Sequence, residues 1–121
     1  MARYDDDVAY DESLADRIRA ALSSRNDVVE KKMFGGLAFM VAGNMACGVL
    51  GRDLMARVGE ANLAAALKRP HTRVMDFTGR PSRSMVYVGP GGTKTLAAVK
   101  KWVDEVAGVA ETRKKKPARR R

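Results

Sequence analysis

The alternation of apolar residues on either side of Gly43-Asn44 constrains the fold more than any other feature of the chain. These residues occupy every second position, as Leu37, Phe39 and Val41 before the dipeptide and as Met45, Cys47 and Val49 after it. A period of two sends successive side chains to opposite faces of a β-strand, and a Gly-Asn dipeptide between two such runs favours a tight turn. The sequence therefore predicts an antiparallel β-hairpin.

Three more segments are predicted as strands from their β-branched and apolar residues, at 54–58, 73–77 and 84–88. The first follows the turn residues Gly51-Arg52-Asp53, so it extends the hairpin into a meander. Gly79 and Pro81 lie between the other two and predict a turn there. The chain is thus expected to form a five-stranded antiparallel sheet.

Three other segments follow the 3.6-residue period of a helix, at about 12–24, at 60–68 and at about 93–112. Ser13-x-x-Asp16 predicts the start of the first helix, and Thr93 is expected to cap the third. Trp102 flanks the apolar stripe of the third helix and is expected to pack that helix onto the sheet. The order αβββαββα, with helices covering an antiparallel sheet, is typical of a two-layer α+β fold.

The length of 121 residues favours one domain. Residues 11–112 are expected to form it, between an acidic flexible N-terminus at 1–10 and a disordered polybasic tail at 113–121. A cytoplasmic protein is expected, because no run of 18 apolar residues could span a membrane and the first residues lack the apolar segment of a signal peptide. With one cysteine, Cys47, and one histidine, His71, neither a disulfide nor a metal site is predicted.

Charge is concentrated at the two ends of the chain. The tail holds seven cations, and without them the formal net charge falls from +9 to +2: Arg113, Lys114, Lys115, Lys116, Arg119, Arg120 and Arg121. Such a run is expected to stay solvated until it binds a polyanion. RNA, DNA and anionic membrane surface are therefore candidate ligands. A tail that only improves solubility is the simpler alternative. Residues 1–16 carry a balance of −5, which fits either a solvated helix start or a segment that folds back onto the basic body.

Candidates for catalysis are few. Cys47 falls in the middle of a predicted strand, where a buried, inert thiol is the usual outcome, so a Cys47–His71 dyad is disfavoured. Residues 89–95 lie between a predicted strand and a predicted helix, as a phosphate-binding loop would. They differ from a P-loop because Thr93 separates the last glycine from Lys94. Binding of an anion by the N–H groups at the helix start remains an open alternative. No catalytic residue and no cofactor are predicted.

The folded part offers a second set of candidate contacts. A secondary anion or partner surface is predicted at Arg80, Arg83, Lys94 and Lys101. Phe34, beside two glycines, is a candidate interaction spot. Six methionines other than Met1 fall in or beside predicted strands, either as core residues or as a surplus on an open sheet face that a partner or a second copy would cover.

Several short motifs occur in a distinctive order: Lys32-Met33-Phe34-Gly35-Gly36, the hairpin with Gly43 and Cys47, Leu54-Met55-Ala56-Arg57-Val58-Gly59, Met75-Asp76-Phe77-Thr78-Gly79-Arg80-Pro81, Tyr87-Val88 and Trp102. In these residues the chain resembles the N-terminal domain of TfoX/Sxy proteins over about residues 14–112. The resemblance implies a two-layer α/β unit with an antiparallel sheet, and it provides no catalytic residues. Longer members regulate bacterial natural competence together with a catabolite-activator-type protein, and they carry a helical C-terminal domain where this chain has its basic tail.

The resemblance therefore implies a small non-catalytic regulatory or interaction module linked to transcription. Its implied partner is a protein of the transcription machinery or another regulator, and a homodimer is left open. The charge of the sequence leaves an alternative open, in which the protein associates with nucleic acid or the ribosome and binds through its polybasic tail. The two functions differ in where affinity lies, in the folded body or in residues 113–121.

Overall fold

The computed structural model describes residues 10–33, 35–76 and 79–112. Within these ranges the helices are α1 (Glu12–Ala21), α2 (Leu63–Leu67) and α3 (Leu96–Thr112). The strands are β1 (Val28–Met33), β2 (Gly36–Val41), β3 (Asn44–Leu50), β4 (Asp53–Arg57), β5 (Thr72–Val74) and β6 (Met85–Val88). Short 3₁₀ turns at Glu60–Asn62 and Pro90–Gly92 precede α2 and α3.

The described strands form one antiparallel sheet in the order β1-β2-β3-β4-β6-β5. The predicted α+β class and antiparallel sheet are confirmed, whereas the five-strand count and the order αβββαββα are wrong. The additional strand is β1, whose central residues Glu30, Lys31 and Lys32 are all exposed. It lies at the sheet edge, where charged side chains discourage pairing with another chain, and so it lacks the apolar alternation of a half-buried strand.

The predicted hairpin is formed by β2 and β3, with Phe39 opposite Cys47 and Leu37 opposite Val49. Its turn lies one residue earlier than predicted, at Ala42-Gly43, and both residues have positive φ, of 53° and 86°. Two left-handed residues match the right-handed twist of the flanking strands.

One main core lies between this sheet and the two longer helices. Its fully buried side chains come from both layers: Leu14, Ile18, Phe39, Leu54, Val99 and Val103. Trp102 belongs to the same cluster with 5% of its surface exposed, which confirms its predicted packing. The buried residues of all three described helices belong to this main core, and no described helix residue contributes to the hydrophobic cluster on the opposite sheet face.

The start of α1 differs from the prediction in its capping residue. The Asp11 carboxylate accepts hydrogen bonds from the backbone N–H groups of Ser13, at 2.9 Å, and Leu14, at 3.3 Å. Asp11 N–H itself donates to the Gly51 carbonyl oxygen at 2.7 Å, which ties the helix start to the β3–β4 turn. The cap is therefore Asp11 and not Ser13, and the helix ends at Ala21, earlier than the predicted residue 24.

Asp11→Ala is expected to lower the free energy of unfolding by about 1 kcal/mol, because it leaves two N–H groups of the first turn without a protein acceptor. Ser13→Ala is the matched control, since Ser13 lies inside the helix as an exposed residue, and it is expected to change stability by less than about 0.5 kcal/mol. Urea denaturation of both variants measures the difference. A larger loss for Ser13→Ala would contradict the assignment of the cap.

The segment before α3 also differs from the prediction. Thr93, the predicted cap, is buried, and its hydroxyl group donates to the Pro90 carbonyl oxygen at 3.4 Å. The cap is Thr95, whose hydroxyl oxygen accepts the N–H of Ala98 at 3.1 Å. The 3₁₀ turn that begins at Pro90 moves the helix start to Leu96.

Candidate interaction surfaces

The sheet face opposite the helices carries a methionine cluster. Alternation places a row of cross-strand neighbours there, Ala38, Gly48, Met55 and Tyr87. Met55, Tyr87 and the adjacent Met85 are 6–7% exposed, and Met45, Leu50 and Met75 pack around them while staying partly exposed. We call these six side chains the methionine face. No described methionine belongs to the main core, and four of them, Met45, Met55, Met75 and Met85, lie in this second cluster.

Gly48 makes this packing possible. A Cβ atom at Gly48 would lie 2.6 Å from the Leu37 carbonyl oxygen and 2.7 Å from the terminal methyl carbon of Met55. Both distances are shorter than van der Waals contact, so only glycine lets the Met55 side chain lie across β3.

A charged group closes the methionine face at the β5 edge. The Arg73 guanidinium lies 4.6 Å from the centre of the Tyr87 ring and donates to the Asp53 carboxylate at 2.7 Å. This hydrogen bond raises the pKa of Arg73, and burial raises the pKa of the Tyr87 hydroxyl group. At neutral pH the Tyr87 phenol is therefore uncharged. It stacks with the Arg73 guanidinium, whose positive charge is paired with the Asp53 carboxylate. At the other edge, Lys31 lies opposite Ala38 and is exposed.

A groove opens between the start of α2 and the β5–β6 loop. It has a volume of about 790 Å³, and its lining combines charged, polar and apolar residues: Glu60, Leu63, Arg80, Pro81, Ser82 and Arg83. Two backbone bonds hold its walls together, because Val58 and Gly59 both donate to the Ser84 carbonyl oxygen, at 2.9 and 3.0 Å. We call this the arginine groove.

The described part of the loop that carries the two arginines is held by its own hydrogen bonds. Ser82 N–H donates to the Met75 carbonyl oxygen at 2.7 Å, and the Ser82 hydroxyl oxygen accepts the N–H groups of Ser84 and Met85 at 3.2 and 3.1 Å. Gly79 N–H donates to the Asp76 carbonyl oxygen at 2.8 Å. The backbone beside Arg80 and Arg83 is therefore ordered by contacts that leave both guanidinium groups exposed.

The predicted secondary surface is only partly brought together. Arg80 and Arg83 both line the arginine groove, whereas Lys94 and Lys101 are exposed on the α3 side and are absent from its lining. Phe34 and the tail cations Arg113, Lys114, Lys115, Lys116, Arg119, Arg120 and Arg121 lie outside the described residues. Sequence reasoning missed Glu60 and Leu63, because only the packing of α2 beside the β5–β6 loop brings them to the groove.

The glycine-rich loop has a structural explanation. The His71 imidazole packs so tightly on Gly91 that a Cβ added there would clash with the ring. His71 has a positive φ of 68°, and its carbonyl oxygen accepts the N–H of Gly89 at 2.8 Å. The small residues thus accommodate His71, and Thr95 caps the helix that follows.

Cys47 is buried in the main core, and burial raises the pKa of its thiol to about 12. At neutral pH the thiol is therefore protonated and poorly nucleophilic. Over residues 10–33, 35–76 and 79–112 no group of three or more His, Cys, Asp and Glu side chains could hold a metal ion. In the same part of the chain no helix is both long and apolar enough to cross a membrane.

Comparison with known proteins gives a match to a protein family. The family model described as the TfoX N-terminal domain matches residues 20–110. That range runs from the last two residues of α1 to the last turn of α3 and contains every described strand. No curated protein and no solved structure matches the chain.

Proposed function

The chain belongs to the family of TfoX N-terminal domains, and we propose that it is a non-catalytic regulatory module that binds a protein partner linked to transcription. The observation that carries the proposal is the family match, which covers most of the chain and all of the described sheet. The resemblance implies that longer members regulate through a second protein. We propose this kind of function for the folded part of the chain.

The methionine face supports the proposal that the partner binds the folded body. Methionine side chains adapt their shape to a partner, and the helices cover only the other side of the described sheet. Val29 extends the apolar surface across β1, where it lies opposite Met40 with 58% of its surface exposed. The exposed Lys31 beside it favours a partner whose apolar contact surface has an acidic rim.

The absence of catalysis is part of the same proposal. It is supported by the buried, protonated Cys47 thiol and by the packing of His71 against Gly91, which occupies the imidazole in a structural contact. The buried Cys47 thiol lacks the exposure that a nucleophile requires.

The alternative function is binding to nucleic acid or to the ribosome through the tail. It is favoured by one specific observation: residues 113–121 hold seven cations, whereas the rest of the chain has a formal net charge of only +2. In that case affinity would depend on the tail and would not require the methionine face.

Photo-crosslinking in cells tests the proposed function. A crosslinking amino acid replaces Val29, which is 58% exposed on the side of the methionine face, or Leu96, which is 47% exposed at the start of α3. We expect position 29 to give an adduct with a transcription protein that survives nuclease digestion, and position 96 to give none. Adducts between two copies would indicate a homodimer instead. Loss of all adducts after nuclease treatment would overturn the proposal in favour of tail-mediated binding.

A further inference from the structure

The two arginines of the arginine groove have no carboxylate partner among the described residues. By contrast, four of the nine described arginines lie within 2.6–2.8 Å of a carboxylate oxygen: Arg19, Arg25, Arg69 and Arg73. Arg80 and Arg83 make no hydrogen bond or ion pair with any described residue. The one carboxylate of the groove, Glu60, lies beyond ion-pair distance from both.

We infer that the arginine groove is a binding site for an acidic, partly apolar peptide segment of the protein partner. The inference rests on the proposed function and names the chemistry of the partner. Two guanidinium groups three residues apart can each donate two parallel N–H hydrogen bonds to a carboxylate. Leu63 and Pro81 add apolar surface to the lining, which suits the aliphatic side chains of a peptide.

The lining favours a peptide over a nucleic acid. A strand of nucleic acid would bring closely spaced phosphates to Glu60, and like charges repel there. The described lining has no aromatic side chain on which a base could stack. A peptide can space its carboxylates to meet Arg80 and Arg83 while an amide N–H faces Glu60.

The described start of the chain lies at the opposite end of β4 from the groove. Tyr10 is bridged to Gly51, before β4, whereas the groove residues Glu60 and Leu63 follow Arg57 at the end of that strand. This placement favours an occupant from another molecule.

A binding experiment on the full-length chain tests the inference. The probe is a fluorescein-labelled peptide of alternating glutamate and leucine, and its neutral reference is the same peptide with glutamine. We expect Arg80→Ala combined with Arg83→Ala to weaken binding of the acidic peptide about tenfold. The matched control, Arg120→Ala combined with Arg121→Ala, removes the same charge from the tail and is expected to weaken binding less than about threefold. Equal losses in the two double variants would overturn the inference.

Glu60→Gln gives a readout that misfolding cannot imitate, because we expect a gain. Removing the carboxylate should tighten binding of the acidic peptide about twofold to threefold and leave the neutral peptide unchanged. Unchanged or weaker binding of the acidic peptide would contradict the site. The groove double variant is also combined with the crosslinker at position 29. An undiminished adduct would reject the groove and keep the proposed function, whereas absence of any adduct in the parent chain would reject the proposed function.

Discussion

Trp102→Ala is expected to lower the free energy of unfolding by about 3–5 kcal/mol, the usual cost of removing a large buried aromatic side chain. Trp102 is 5% exposed and belongs to the core between α3 and the sheet. Its removal loses the apolar area that the ring buries and leaves a cavity that the neighbouring strands cannot fill. Chemical denaturation followed by far-ultraviolet circular dichroism measures the loss, since this is the only tryptophan and its fluorescence is lost with it.

A second contribution comes from Arg69. Its guanidinium lies 3.5 Å from the centre of the Trp102 ring and forms an ion pair with Glu105 at 2.7 Å. This arrangement connects the segment after α2 to α3. Arg69→Ala should therefore cost about 1 kcal/mol in the parent chain and less in the Trp102→Ala background, because the cation–π contact is then already lost.

Leu96→Ala is the matched control, since Leu96 is a large apolar residue of the same helix that is 47% exposed. It is expected to change the free energy of unfolding by less than about 0.5 kcal/mol. An unchanged stability of Trp102→Ala would mean that the ring is not part of the core, and the packing of α3 would need a different explanation.

The strands and helices with periodic apolar residues were predictable from the sequence. The alternation through Phe39 and Cys47 and the helical stripe beside Trp102 mark the faces that pack into the main core, so period alone was enough to assign these strands and this helix. β1 was not predictable in this way, because its charged residues lie at an exposed edge and carry no alternation. The cap of α3 was predicted at Thr93, whereas the structure has it at Thr95. The two positions are hard to distinguish in the sequence because a 3₁₀ turn and an α-helix begin with similar residues.

The candidate sites were predictable only in part, for a related reason. Arg80 and Arg83 stood out by charge and by their position in a turn-rich segment, and the structure places them in one groove. Its other wall, with Glu60 and Leu63, comes from a segment about twenty residues away in the chain, and no local pattern encodes that contact. The methionine face likewise depends on which side of the sheet the helices leave open.

Deleting residues 113–121 is expected to abolish most of the affinity for nucleic acid, whatever its sequence. The deletion removes seven cations and takes the formal net charge from +9 to +2, so little long-range attraction to phosphates remains. With the tail present, the logarithm of the binding constant should fall with the logarithm of salt concentration with a slope no steeper than about −6 on duplex DNA. Raising salt from about 50 to 200 mM should then weaken binding by up to about 4,000-fold.

Fluorescence anisotropy with two unrelated duplexes and one RNA measures these quantities in the full-length and truncated chains. A graded control replaces Arg119, Arg120 and Arg121 by glutamine, which removes three of the seven cations and should make the slope shallower by about 3. The truncated chain should keep the thermal unfolding transition of the full chain, because the core lies within residues 10–112. Equal affinity after truncation, or a preference of more than about tenfold for one duplex, would move nucleic-acid binding onto the folded body, since contacts from cations to phosphates carry no information about the bases.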